Sequence, residues 1–228
     1  MPTPICHPCP DDDGHPVFIA RPSSPCEPDA WHDPARVATA VPGGCVPAAL
    51  NGLAFGPAGL AGLPPPAGIE EPAFVLPPGL EAAAGAVVVE DDGRVWLVAP
   101  TNAFGGYAAT FPKGRVDPGA SLQATAVREV FEESGLAVEI VAFLADVRRT
   151  RTFTRYYLAR RVGGNPALMG WETQAVHLVP PARLADVAAH ANDTAIIAAL
   201  GRRAAAGADA VRSSAPAKRT PASGRSRA

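Results

Sequence analysis

Long apolar runs are missing from these 228 residues, basic charge is scarce, and cysteine is absent after residue 45. No apolar run reaches the roughly 18 residues a membrane span needs. The stretch from Val37 to Leu63 is apolar on average, but Pro42, Gly43, Gly44, Pro47, Gly52, Gly56 and Pro57 break it. The start, MPTPICHPCPDDD, has no basic beginning and no apolar core, so it does not read as a secretory signal. The cytoplasm is the expected location, with no membrane partner. Twenty Lys and Arg against 22 Asp and Glu leave a net charge of −2, which argues against a nucleic-acid binder that works by bulk positive charge. Cys6 and Cys9 form a C-x-x-C around His7, with His15 and His32 downstream, and zinc accepts such donors. Cys26 and Cys45 make no compact second pair, however, so ordinary reduced thiols are the expectation.

What is present divides the chain in three. Eighteen of the 26 prolines fall before residue 81. Proline removes a donor and fixes φ, so residues 1–80 should form an irregular extension without long helices or central strands. The extension is acidic, with Asp11, Asp12, Asp13, Glu27, Asp29, Asp33, Glu70 and Glu71 against Arg21 and Arg36. VFIA, WHDPARVATAV and AALNGLAF carry apolar residues worth burying, so it either drapes over the main domain or is a solvated tail. Residues 82–203 read as the folded domain, within a chain whose 47% hydrophobic content is ample for one core. GAVVVEDDGRVWLVA is two β-rich runs about Asp92-Gly93, a hairpin signal. In the glycine-rich connector TNAFGGYAATFPKG, YAATF is a candidate short strand. AVEIVAFLADV, TFTRYYLARRV and AVHLVP read as strands, and ARLADVAAHA and DTAIIAALGRR as helices. Alternating strands and helices predict an α/β sheet domain with helices packed on it. Residues 204–228 are small, polar and basic, the composition of a disordered basic tail.

The segment GRVDPGASLQATAVREVFEESGL carries the chemistry. Ser121 is placed to cap a helix and Gly135 to stop it. At about 100° per residue, Val127 and Phe131 point one way. Glu129, Glu132 and Glu133 fall within an arc of about 100° on nearly the opposite side. Spacing of i, i+3, i+4 brings the three carboxylates within reach of one point. No Lys or Arg stands four residues C-terminal to any of them. A solvated acidic face is the bland reading. Clustered carboxylate oxygens otherwise suit hard divalent cations, Mg²⁺ above all, and with them phosphate chemistry.

Gly114, then Arg128-Glu129-Val130, Glu132-Glu133 and Gly135-Leu136 together resemble the signature of the Nudix hydrolases, in register throughout. The preceding FPKG and the hairpin from Gly85 are similar to that family's fold, and the resemblance covers residues 82 to about 200. It implies an α/β/α sandwich with a mixed sheet, here preceded by the Pro-rich extension. It also implies a hydrolase cleaving a diphosphate linkage in a nucleoside diphosphate derivative, such as a nucleotide sugar, ADP-ribose or a dinucleoside polyphosphate. By the same resemblance Glu129, Glu132, Glu133 and the Gly114 carbonyl would hold Mg²⁺, with Mn²⁺ as the alternative ion. The general base would be a helix glutamate or Glu172, in the late loop GWETQ. Lys113 and Arg115 flank Gly114 and would meet substrate phosphates. Arg148, Arg149 and Arg151, with Arg155 beyond, are either further phosphate contacts or solvated hairpin charges. Phe104, Tyr107 and Trp171 would either stack on a base or pack in the core. One position departs from the pattern: Ala120 stands where the family has a glutamate that partners the arginine, and Asp117 is the substitute partner expected for Arg128. Two further readings stay open. One is a catalytically weak Nudix domain that senses a nucleotide; the other makes the extension a protein-interaction arm. A homodimer is compatible with the family.

Overall fold

The computed structural model describes residues 3–213. Its strands and helices, in chain order, are β1 (Ile5–Cys6), β2 (Phe18–Ile19), β3 (Ala38–Ala40), β4 (Ala49–Leu50), β5 (Leu53–Ala54), β6 (Glu81–Val89), β7 (Val95–Pro100), β8 (Lys113–Arg115), α1 (Leu122–Ser134), β9 (Leu136–Arg148), β10 (Thr152–Gly164), β11 (Thr173–Val179), α2 (Leu184–Val187) and α3 (Thr194–Ser213). The main sheet runs β3-β11-β7-β6-β10-β9, with β8 also paired to β6. It is mixed: β6 and β10 are parallel, and the other pairs antiparallel. One face buries Ala126, Val127 and Val130 of α1 against Ala86, Val88, Val138 and Ile140. The other buries Leu184, Ala188 and Ile196 from the C-terminal helices against Val87, Leu97 and Tyr156. The result is an α/β/α sandwich, in which alternate strand residues face opposite helical layers.

Local chemistry explains most elements. Gly93 turns the β6–β7 hairpin at φ 84°, and Val89 pairs with Val95. Ser121 Oγ accepts the Ala124 N–H at 3.1 Å, and Gly135 closes α1 in the left-handed region at φ 69°. Three expectations are corrected. YAATF is not a strand; only Thr110 bridges to Val98, and the strand begins instead at Lys113. ARLADVAAHA holds only a short α2, because the backbone leaves the helical region at Ala188 (φ −94°, ψ 60°), and His190 then stacks on Tyr107 with ring centroids 4.0 Å apart. And α3 continues through residues 204–213, where the sequence reads as tail; residues 214–228 lie outside those described.

The extension drapes over the domain. Its β3 adds an edge strand to the main sheet beside β11. Trp31 and Phe55 enclose Trp96, with centroid separations of 6.0–6.3 Å. Two buried arginines of the domain reach out to extension carbonyls. Arg94 donates to Ala30 O at 3.0 Å and Trp31 O at 2.6 Å, and Arg161 donates to Leu50 O at 3.0 Å. Such bonds satisfy guanidinium donors that burial would otherwise leave without water. The four cysteines are free.

Candidate active site

Helix α1, β8 and the loop before β11 meet at one cleft of about 590 Å³. The helix contributes Arg128, Glu129, Phe131 and Glu132; Arg115 and Asp117 come from β8 and the turn after it; Leu168, Gly170, Trp171 and Glu172 come from the loop. The extension contributes Asp12.

The glutamates do not form a solvated face. Glu129 is 7% exposed and Glu133 8%. The inward face of α1 is centred on Ala126, Val130 and Glu133, so Phe131, read as sharing a direction with Val127, is half-buried at the cleft while Val127 is buried. The backbone allows Glu129 this position because residue 114 is glycine: a Cβ there would lie 2.1 Å from the Glu129 carboxyl carbon. Burial, then repulsion from Glu133, pushes Glu129 up to about 8. Burial pushes Glu133 up to about 7, although Lys113 opposes the shift with its charge and its backbone N–H, which donates to Glu133 Oε2 at 3.0 Å. Burial also raises Glu132, against the pull of Arg128. Glu172 is exposed at the end of the loop, and its charge adds to the upward shift of all three helix glutamates.

Arg128 is the cation that a search toward the C-terminus of each glutamate overlooks. It stands four residues before Glu132 and meets it at 2.5 Å, meets Glu129 at 2.7 Å and meets Asp117 at 3.1 Å. Asp117 is thus the substitute partner that the sequence suggests. Burial opposes the charge of Arg128, but Glu129, Glu132 and Asp117 together hold its pKa above the ordinary value. With Glu132 drawn to Arg128 and Glu133 to Lys113, no three His, Cys, Asp or Glu side chains among the described residues are arranged to hold an ion as they stand.

The other candidates separate. Lys113 Nζ lies 3.8 Å from Glu133, and Arg115 lines the cleft while pairing with Glu81 at 3.0 Å. Arg148 is exposed at the end of β9, outside the residues that line the cleft. Arg149 is neither a free phosphate contact nor a solvated hairpin charge. It is 6% exposed and donates to Tyr156 Oη at 2.7 Å and Asp193 Oδ1 at 3.0 Å. Arg155 is likewise enclosed, gripping both oxygens of Asp146 at 2.8 and 2.7 Å. Of the three aromatics, Trp171 alone lines the cleft; Tyr107 stacks on His190, and Phe104 is exposed.

A family model of the Nudix domain matches residues 79–200. The chain belongs to the Nudix family. It is 35% identical over 92 residues to RNA pyrophosphohydrolases of Escherichia coli (strain K12 / DH10B) and Salmonella arizonae, a stretch that covers 40% of this chain and 46% of each relative. The chain therefore spans a little under half the length of the curated relatives it matches. Among solved structures it is similar to an Ap4A hydrolase of C. elegans in a binary complex, at 21% identity and a TM-score of 0.46, covering 56% of this chain and 98% of that one. It is also similar to a NUDIX hydrolase from Nitrosomonas europaea, at 19% identity and a TM-score of 0.47, covering 56% and 90%. Within the Nudix domain of this chain, where Ala120 offers no carboxylate, Asp117 supplies one to Arg128.

Proposed function

We propose that this Nudix protein is a Mg²⁺- or Mn²⁺-dependent hydrolase that cleaves a diphosphate linkage in a small nucleoside diphosphate derivative, such as a nucleotide sugar, ADP-ribose or a dinucleoside polyphosphate. The observation that carries the reading is the pair of buried carboxylates, Glu129 on the wall of an open cleft and Glu133 next to it on the same helix, both raised far above the ordinary 4.5. Two buried acids with too few donors favour any additional cation. The donors offered here, carboxylates and a backbone carbonyl, are the hard oxygens that Mg²⁺ prefers. The pocket that glycine leaves at 114 brings Glu129 against the backbone of β8. The residues present therefore fit the ion, and Gly114 through its carbonyl, Glu129, Glu132 and Glu133 would hold it. When bound, such an ion neutralises phosphate oxygens and acidifies water.

The chain's own residues supply the rest. Glu172 is exposed beside the helix glutamates and can take a proton from an attacking water. Arg115 presents a guanidinium to the cleft, and Arg128, with part of its surface exposed there, can turn from its carboxylates to a phosphate through the same planar fork. Lys113 keeps Glu133 partly compensated, with its backbone N–H on Oε2 and its ammonium 3.8 Å from Oε1.

The test is a substrate panel run with and without Mg²⁺, containing ADP-ribose, nucleotide sugars, dinucleoside polyphosphates and nucleoside triphosphates. The wild type should release phosphorylated products only with the ion. Glu133→Gln and Glu132→Gln should lower kcat by about 10²–10⁴ with the thermal melt retained. Nucleotide binding without metal-dependent product from any member would transfer the protein to the sensor class.

A further inference from the structure

The cleft has a wall that the family domain does not provide. Residues 5–19, ahead of residue 79 where the family match begins, lie along the loop that carries Trp171 and Glu172. His7 is 3% exposed; its Nδ1 accepts the Cys9 N–H at 3.0 Å, which leaves Nε2–H to donate to Thr173 O at 3.2 Å. Cys9 Sγ lies 3.8 Å from Met169 O, so the arm grips both ends of the loop. Between these anchors and β2 the chain makes a turn closed by Asp11, whose Oδ1 accepts from the His15 N–H at 2.7 Å and the Asp13 N–H at 3.1 Å. The turn projects Asp12 into the cleft, where it accepts the Trp171 indole N–H at 3.1 Å. From the other side, Thr101 fixes the same loop by donating to Trp171 O at 2.7 Å and Glu172 O at 2.8 Å.

An exposed carboxylate is a poor neighbour for a polyphosphate. Asp12 therefore divides the cleft. Around Arg115 and Arg128 the lining suits phosphates; around Asp12, which bonds Trp171, it repels them, and Trp171 and exposed Leu168 add an aromatic face and apolar surface to the lining. We propose that Asp12, brought in by the N-terminal arm, orients Trp171 as the stacking platform for the base of the nucleotide substrate, so that the arm decides which diphosphates the cleft retains. An indole whose N–H is already bonded is fixed in its ring plane, and a fixed plane stacks at lower entropic cost than a mobile one.

This rests on the diphosphate reading of the same cleft, and binding measurements separate the two. Two probes carry the same phosphate pair: ADP, which has a base, and inorganic pyrophosphate, which has none. Both are titrated onto the full chain in the presence of Mg²⁺. Asp12→Ala should weaken ADP about tenfold and leave pyrophosphate unchanged or tighter, since a negative charge has gone. Asp12→Asn keeps an acceptor for the indole and should retain ADP binding. In a Trp171→Ala background, Asp12→Ala should weaken ADP no further, which a merely structural contact would not predict. Asp12 is exposed, so its variants test the idea even if Trp171→Ala does not fold. Equal loss of ADP and pyrophosphate on Asp12→Ala, or loss of neither, overturns the platform while leaving the hydrolase intact. A wild type that binds neither probe and turns over no substrate overturns both.

Discussion

Two of the groups of buried charge in this domain are treated in opposite ways. Around Glu90, the carboxylate receives Arg161 Nε at 2.5 Å, Trp96 Nε1 at 2.8 Å and Asn51 Nδ2 at 3.2 Å. Donors outnumber its two oxygens, and the remaining Arg161 nitrogens find carbonyls of the extension. On α1, three acids share Arg128 and the more distant Lys113, and two of them are held near or above neutral pKa values. A buried acid with every oxygen met belongs to the fold, and removing its partner is costly because the rest stays buried. A buried acid left short of donors carries a standing penalty that a bound cation would relieve. The two groups are alike in residue type and burial and differ in donor count.

The comparison is broken most severely at the satisfied group. Arg161→Ala should cost about 3–5 kcal/mol in a denaturant titration, because Glu90 then remains buried without its main partner. Turnover per folded molecule should be little changed. A loss under 1 kcal/mol would mean that the Glu90 group is not the structural one.

A pH titration sharpens the contrast. Glu129 and Glu133 have folded-state values of about 8 and about 7 against an ordinary 4.5. The folded state therefore holds protons that the unfolded chain has released, and stability falls as pH rises from about 4.5 to about 8. Half-buried His177, lowered by desolvation to about 4 from 6.5, acts in the opposite direction between those two values. The window from pH 6.5 to 8 isolates the carboxylates. In EDTA the melting temperature should decline across that window; in Mg²⁺ the decline should shrink, and Glu129→Gln should remove much of it. A flat profile in EDTA would show that the helix acids are as well compensated as Glu90.

The smallest effect is expected at Ala120. Asp117 already pairs with Arg128 at 3.1 Å on the protein surface, beside Glu129 and Glu132, so Ala120→Glu adds a further exposed partner worth roughly 0.2–1 kcal/mol. Steady-state kinetics should show activity unchanged or raised by no more than about fivefold, equivalent to 1 kcal/mol at 1.4 kcal/mol per tenfold. A large loss would give Ala120 a role of its own.

Much of this was legible in the residues. The period-two runs, Asp92-Gly93, Ser121 and Gly135 fix strands, hairpin and helix ends by local chemistry, and the signature from Gly114 to Leu136 names the family. What stayed hidden depends on long-range packing. Arg149 reads as a phosphate contact or a solvated hairpin charge, and only the fold brings Asp193, 44 residues later, to bury it. The inward face of α1 is turned toward Glu133 because β8 lies beside it, which periodicity alone does not reveal. Counting charges in both directions along α1 would have found the Arg128–Glu132 pair, since it is an i, i+4 neighbour.

The reach of Arg94 and Arg161 into the first 54 residues matters for anyone trimming the gene. A fragment cut at residue 79 would keep every residue of the family signature and yet take from two guanidiniums the carbonyls they bond and uncover one side of Trp96. The point where likeness to relatives begins is thus a poor place for scissors. The shortest self-sufficient piece should start well upstream, ahead of the segment that carries Trp31.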